Sequence, residues 1–143
     1  MSAYIVTGAA GFIGSKVAEL LLAQGHQVFG VDNLSSAYDV RMKEHRLQTL
    51  LSQPAFTFLK ADITDKEIID LLTQAVPDAQ AVINLAAMAG VRQSMSDPWS
   101  YLYTNTLGTL NLLEYARRQE VPKFILASTS SLYGDDGAAP HSE

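Results

Sequence analysis

Three glycines at a regular spacing, Gly8, Gly11 and Gly14, place the strongest constraint on this chain. An apolar run at 3–6 precedes them and predicts a buried strand, and apolar residues at helical spacing over 12–23 predict a helix after them. Glycine is required where a turn is tight, where a backbone approaches a phosphate, and where a helix packs closely on a strand. The pattern therefore predicts a strand–turn–helix unit whose N–H groups and helix dipole face an anion.

The same alternation of strand and helix continues along the chain, which indicates an α/β fold. Because strands separated by helices form parallel sheets through right-handed crossovers, we expect a Rossmann-like, doubly wound sheet with helices on both faces. The length suits one domain, 1–143. Further strands are predicted at 27–31, 56–59, 81–85 and 123–127, further helices at 38–51, 65–74 and 98–119, and a loop after Tyr133.

Asp32 follows the second predicted strand, about 20 residues beyond the glycine turn, where a ribose-binding acid belongs. A carboxylate there accepts from both ribose hydroxyls and repels a 2′-phosphate, which favours NAD over NADP. Asp is also common at strand ends for local reasons, and Arg41 leaves NADP open. A P-loop does not fit, because Gly14 is followed by Ser and Lys in the wrong order and the glycine spacing differs.

Several classes of function are disfavoured by composition. A net charge of −5 argues against nucleic-acid binding. The absence of cysteine excludes disulfides and thiolate zinc sites, and the three histidines show no metal-ligand spacing, so no metal is expected. No apolar stretch reaches the ~20 residues that span a bilayer, and the N-terminus does not read as a signal peptide. We therefore expect a cytoplasmic protein without a membrane partner.

Five motifs in order show a resemblance to a known family. The glycine spacing after Thr7 is Gly-x-x-Gly-x-x-Gly, and the remaining motifs are Asp62-Ile63, the segments 84–87 and 105–111, and the segment 127–134. Together they resemble the extended short-chain dehydrogenase/reductase family, the NAD-dependent nucleotide-sugar epimerases and dehydratases. The resemblance covers nearly the whole chain. It implies NAD as cofactor and a nucleotide sugar as substrate.

The resemblance also implies roles for individual residues. Thr129 matches the hydroxyl that positions the substrate oxygen, although a strand-end hydroxyl also satisfies local backbone. Ser130, Arg92 and Ser94 are weaker candidates for substrate binding, since the last two also suit a solvated loop. The implied cofactor-binding residues are Gly8, Gly11, Phe12, Ile13, Gly14, Asp32, Asn33, Asp62, Ile63, Leu85, Ala86, Ala87 and Asn105.

Within the family, the segment 88–94 is similar to that of the UDP-glucuronate 4-epimerases. Ser130 and Ser131 stand where the family's dehydratases carry Asp and Glu, which disfavours 4,6-dehydration. We therefore expect a UDP-sugar 4-epimerase that transfers hydride to and from bound NAD. A reductase, a decarboxylase, a dehydratase and a non-catalytic NAD(H)-binding module stay open as alternatives.

The family's catalytic base lies in Tyr-x-x-x-Lys, and none of the six tyrosines stands four residues before a lysine. We therefore expect the 143 residues to be an incomplete cofactor domain that lacks the substrate domain and is inactive alone. Apolar surface that the missing part would cover should then be exposed. Such surface favours a homodimer or other self-association.

Overall fold

A five-stranded parallel sheet forms the centre of the computed structural model, which describes residues 1–134. The strand order is β3-β2-β1-β4-β5, so the chain runs outward from β1 in one direction and then in the other. The predicted loop lies outside the described residues beyond Gly134. The strands are β1 Ala3–Thr7, β2 Gln27–Asp32, β3 Phe56–Lys60, β4 Ala79–Asn84 and β5 Phe124–Leu126.

Helices cover both faces of this sheet, as the doubly wound prediction requires. They are α1 Phe12–Ala23, α2 Val40–Leu51, α3 Glu67–Ala75, α4 Val91–Ser96, α5 Pro98–Tyr101 and α6 Thr109–Arg118. One core lies between the sheet and α1 and α2, through residues such as Ala18 and Leu50. The other lies under α3 and α6, through residues such as Leu72 and Leu112. The predicted fold class is confirmed.

The second core contains a buried polar contact that ties α6 to α3. The Tyr115 hydroxyl donates to the carbonyl oxygen of Val76, the residue that ends α3. Burial, and then the negative charge of Asp78, raise the pKa of Tyr115 to about 12. The phenol therefore remains a neutral donor over the whole physiological range.

Several predicted boundaries were wrong by one or two residues. Helix α2 begins at Val40 because the Asp39 side chain accepts from the Arg41 N–H and caps it. Helix α3 begins at Glu67, two residues later than predicted, after Lys66 and without a side-chain cap. Strand β4 runs from Ala79 to Asn84 and ends one residue earlier than expected.

The long helix predicted over 98–119 is continuous but not uniform. Between α5 and α6 it widens into a π-helical segment, Leu102–Gly108. The residues that recur at helical spacing along it, Leu102, Thr106, Leu110 and Leu113, are exposed, with Leu102 and Leu110 at 53% and 52%. The sheet is contacted instead by the opposite face, which includes Leu112 and Tyr115. Apolar periodicity identified the helix but not which face is covered.

Candidate functional site

A groove runs along the carboxyl ends of the central strands. Because the sheet is parallel and in register, Thr7 of β1 pairs with Val31 of β2 and Asn84 of β4, so the loops that follow emerge side by side. Two adjoining cavities of about 150 and 520 Å³ make up the groove. They share the segment 85–88 as a common wall. Ligands of open α/β sheets bind at this crevice, where the strand order reverses.

The first cavity is named here the adenosine end, and the second the sugar end, after the ligand parts expected there. The adenosine end is lined by Gly8, Gly11, Val31, Asp32, Asn33, Ser35, Tyr38, Lys43, Ala61, Asp62, Ile63, Leu85, Ala86, Ala87, Met88 and Thr104. The sugar end is lined by Asn84, Leu85, Ala86, Ala87, Met88, Ala89, Gly90, Val91, Ser94, Tyr101, Asn105, Thr109, Leu126, Ala127, Ser128, Thr129 and Ser131.

The glycine turn is compact because its members approach each other's backbone. Gly8 has a φ of 65°, which side-chain-bearing residues adopt at a cost. A Cβ at Gly14 would collide with the Gly8 carbonyl oxygen, which already accepts from the Gly11 N–H at 2.9 Å. Gly11 caps α1 without a side-chain hydrogen bond. The first-turn N–H groups of Phe12 and Ile13 are therefore positioned for an anion.

Asp32 is held firmly at the end of β2. Its carboxylate accepts from the Ala10 N–H at 3.1 Å and from the Leu34 N–H at 2.8 Å. Its side chain is only 5% exposed, and the ammonium of Lys43, 7% exposed, lies 3.6 Å from Oδ1. Arg41, considered as a phosphate ligand, points elsewhere: its guanidinium is 86% exposed and binds Asp39. The cation at this site is Lys43, which the sequence did not single out.

Asn33 and Asp62 join the loops after β2 and β3. The Asn33 side-chain amide donates to Asp62 Oδ2 at 2.7 Å, and the N–H and hydroxyl of Thr64 donate to Asp62 Oδ1 at 2.9 and 2.8 Å. Burial raises the pKa of the Asp62 carboxyl, but these hydrogen bonds outweigh it, so the pKa lies below its ordinary value. The pair fixes the outer wall of the adenosine end.

A chain of hydrogen bonds connects the glycine turn to the π-helical segment. The buried Thr7 hydroxyl donates to Asn84 Oδ1 at 2.6 Å and accepts from the Leu85 and Ala86 N–H groups, both at 3.2 Å. The Asn84 amide donates in turn to Thr109 at 3.0 Å. These contacts hold the shared wall of the two cavities against both β1 and the long helix.

The side chain of the predicted site residue Asn105 is hydrogen-bonded to this wall. Its Oδ1 accepts from the Met88 N–H at 2.8 Å, and its Nδ2 donates to the Met88 carbonyl oxygen at 3.0 Å. It lies in the π-helical segment, and such segments occur frequently at functional sites. In this structure Asn105 lines the sugar end and positions the loop after β4.

Two further members of the same motif support the adenosine end, and the sequence did not point to either. Asn111, 4% exposed, donates to the Ile63 carbonyl oxygen at 2.8 Å and to that of Thr64 at 3.2 Å. At Gly108, a Cβ would lie 2.5 Å from Ile63 Cδ1. The helix thus holds the loop that contains Asp62 and Ile63 by close packing and by a buried amide. The available signal was the pair Asn105 and Asn111, six positions apart with a glycine between them.

The structure shows the local backbone role that was weighed for Thr129, and it places the residue at the sugar end. Its hydroxyl accepts from the Ser131 N–H at 3.2 Å and caps a 3₁₀ turn, Ser130–Tyr133. It also lines the sugar end, as do Ser94 and Ser131. Neither Ser130 nor Arg92 lines either cavity, and both are exposed. Of the weak substrate candidates, the structure brings only Ser94 into the groove, and it adds Ser131.

The remaining predicted cofactor residues divide clearly. Phe12 and Ile13 lie at the start of α1, are 71% and 63% exposed, and line neither cavity. Gly14 acts through packing. Among the sequence-predicted residues, those that line the adenosine end are Gly8, Gly11, Asp32, Asn33, Asp62, Ile63, Leu85, Ala86 and Ala87.

Residues 1–134 contain no group of three or more acidic or histidine side chains arranged to hold a metal ion. Over the same range, no helix has the length and apolar character needed to cross a bilayer.

Comparison with known proteins shows consistent similarity. A family model described as GDP-mannose 4,6 dehydratase matches residues 5–143. A UDP-glucuronate 4-epimerase of Thermodesulfobacterium geofontis is 46% identical over 143 residues, which is 100% of this chain and 44% of that protein. The chain thus spans less than half the length of this relative.

Solved structures show the same similarity. The UDP-glucuronic acid 4-epimerase of Bacillus cereus, in complex with UDP-glucuronic acid and NAD, superposes with a TM-score of 0.87 at 34% identity, covering 98% of this chain and 44% of that one. The UDP-Glc/GlcNAc 4-epimerase of Campylobacter jejuni has a TM-score of 0.83 at 31% identity, covering 94% and 39%.

Proposed function

Since the chain belongs to the extended short-chain dehydrogenase/reductase family of NAD-dependent epimerases and dehydratases, we propose that it is the cofactor-binding part of a UDP-sugar 4-epimerase. The observation that carries the proposal is the groove itself. It joins a glycine turn, a buried strand-end carboxylate and a hydroxyl-lined second cavity in the order that a dinucleotide requires. Similarity to epimerases that were crystallised with NAD supports it.

The residues present fit NAD. The space where Gly8 and Gly14 would carry side chains is closed by backbone, so the pyrophosphate would meet N–H groups rather than side chains. Asp32 would accept from the ribose hydroxyls, and Asp62 with Ile63 would border the adenine. Bound NAD would supply the hydride acceptor. The chain's own part is to orient it: Asn105 sets the path of Met88, and Thr7 sets that of Leu85 and Ala86.

Epimerisation is favoured over dehydration by the residues that follow β5. Ser131 lines the sugar end beside Thr129, whereas Ser130 does not line it. These hydroxyls can hold a sugar oxygen in position, but they cannot supply the acid–base pair that removes water. Incubating the full-length parent protein with UDP-glucuronate and following the sugar protons by NMR tests the reaction. A UDP-galacturonate product is expected, and a 4-keto-6-deoxy, decarboxylated or unchanged product would contradict it.

We propose further that these 143 residues bind NAD without completing turnover by themselves, because no tyrosine precedes a lysine by four positions. Supplying UDP-glucuronate to the NAD-loaded chain should give no epimer and no NADH absorbance at 340 nm. Either signal would overturn this part of the proposal.

Calorimetric titration with NAD tests the cofactor assignment most directly. Asp32→Asn is preferable to Asp32→Ala, because it removes the charge while leaving a polar partner beside the buried Lys43. We expect NAD binding by the wild type and a loss of about tenfold or more in the variant. Asp70→Asn is the matched control, since Asp70 is exposed on α3. Absence of NAD binding by the folded wild type would overturn the proposal.

We also propose that the chain self-associates through apolar surface. Leu102, Leu110 and Leu113 are exposed on the long helix, and Ile125, Leu126 and Leu132 are 50%, 55% and 75% exposed in and after β5. Exposed apolar surface of this kind favours association. Sedimentation velocity should show a mass that rises with concentration. A monomer mass that is constant across a wide range would contradict this.

A further inference from the structure

The buried lysine at the adenosine end has no counterpart in the roles derived so far. Lys43 lies in α2 and lines the same cavity as Asp32. Its ammonium donates to the Ser35 hydroxyl at 3.2 Å and lies 5.1 Å from the centre of the Tyr38 ring. Lysine is almost never fully buried without a partner, because removing its charge from water is costly. The fold therefore places a cation at this point despite the free-energy cost of burying it.

Orientation of Asp32 does not require that cation. Two backbone N–H groups, from Ala10 and Leu34, already fix its two carboxylate oxygens. Lys43 lies farther away, at 3.6 Å from Oδ1, and its hydrogen bond goes to Ser35. Its main effect on the groove is thus electrostatic: it converts a buried negative charge into a pair with no net charge.

This pairing changes whether Asp32 can exclude a dinucleotide that has a 2′-phosphate. A lone carboxylate repels a phosphate on the ribose 2′ oxygen, and repulsion between close charges is strong where water is scarce. Beside Asp32, however, the wall contains an ammonium, the Ser35 hydroxyl and the Asn33 amide, all of which can donate to phosphate oxygens. Asn33, Ser35 and Lys43 line the cavity together.

We propose that Lys43 is a specificity-determining residue, which makes the adenosine end accept nicotinamide dinucleotides both with and without a 2′-phosphate. The inference rests on the proposed function, because it assumes that the groove holds the dinucleotide. It weakens the preference for NAD over NADP that is expected from Asp32 alone. Arg41 is not the source of this tolerance, because its guanidinium is turned into solvent against Asp39.

Titration of NAD and NADP into the wild type and Lys43→Met tests the proposal. The wild type should prefer NAD by no more than about 30-fold, and the variant should widen that ratio by about tenfold or more, mainly by weakening NADP. Lys123→Met is the control, since Lys123 is exposed and precedes β5 at the opposite end of the sheet. It should leave the ratio unchanged.

The outcomes separate this inference from the proposed function. A wild type that binds NAD but excludes NADP by about 1,000-fold or more overturns the inference alone, and this measurement needs no variant. So does a folded Lys43→Met variant whose ratio stays within about twofold of the wild type, which would make Lys43 a structural partner of Asp32. A folded wild type that binds neither dinucleotide overturns the proposed function as well.

Discussion

The two ends of the groove are built differently. At the adenosine end the central ion pair is buried and hydrogen-bonded: Asp32 and Lys43 are each less than a tenth exposed, and Asn111 holds the outer loop from inside the core. At the sugar end, Asn105 and Thr129 are exposed although they make defined hydrogen bonds. The adenosine end is part of the folded core, whereas the sugar end lies on its surface.

Because of this difference, substitutions at the two ends should affect stability and NAD binding differently. Substitutions at the adenosine end remove contacts that also hold the fold, so both stability and NAD affinity should fall. Substitutions at the sugar end remove contacts that water can replace, so stability should change little. Variants of the two ends therefore distinguish core contacts from surface contacts.

Gly14→Ala should have the largest effect. Its Cβ would collide with the Gly8 carbonyl oxygen, a backbone atom that cannot move without moving the turn. We expect a loss of about 1–3 kcal/mol in the free energy of unfolding and a loss of about 100-fold or more in NAD affinity. Urea unfolding and calorimetry measure the two quantities.

Gly25→Ala is the matched control for this variant. Gly25 has a positive φ, of 81°, unlike Gly14, and a Cβ there would meet nothing within 4 Å. The substitution should cost about 1 kcal/mol through backbone strain alone and leave NAD affinity unchanged. Equal loss of NAD affinity in both variants would show that the turn tolerates the collision. Gly14 and Gly25 would then not differ in their effect on NAD binding.

Two asparagines of the long helix, Asn105 and Asn111, should differ in how much their removal lowers the free energy of unfolding. Asn111→Ala leaves the Ile63 and Thr64 carbonyl oxygens without their buried donor, so it should cost about 1–3 kcal/mol. Asn105→Ala removes two hydrogen bonds to Met88 at an exposed site and should cost about 0.5 kcal/mol or less. Urea unfolding of the two variants side by side measures the difference. Equal losses in the free energy of unfolding would show that the two ends do not differ in this respect.

These same residues show what the sequence could predict. The glycine spacing and the strand–helix alternation were enough for the fold class, and they placed Asp32 at its strand end. The spacing of Asn105 and Asn111 could have drawn attention to Asn111, but its partners could not be predicted, because the two carbonyl groups are 47 and 48 residues away in sequence. Lys43 was missed for a related reason: in a polar helix, periodicity does not reveal which charge turns inward.

Acid should weaken the adenosine end through Asp62. Since the folded-state pKa of this carboxyl is lowered, its contribution to stability is present above the unfolded value of about 4 and is lost as pH falls through the folded value. Asp62→Asn should therefore flatten the fall of the urea midpoint between pH 5 and 3. Asp70→Asn provides the comparison, and an unchanged slope for Asp62→Asn would remove Asp62 from the acid response.

The smallest effect on stability is expected at the sugar end. Thr129→Val keeps the shape of the side chain and removes the hydroxyl that caps the exposed 3₁₀ turn, so the free energy of unfolding should change by about 0.5 kcal/mol or less. NAD affinity of the chain should also stay within about twofold. The same substitution in the full-length parent protein should lower kcat for epimerisation by about tenfold or more, because the hydroxyl would position the substrate oxygen. A variant whose stability falls while its kcat is unchanged would contradict this assignment. Thr129 would then be a structural cap, and the sugar end, like the adenosine end, would belong to the folded core.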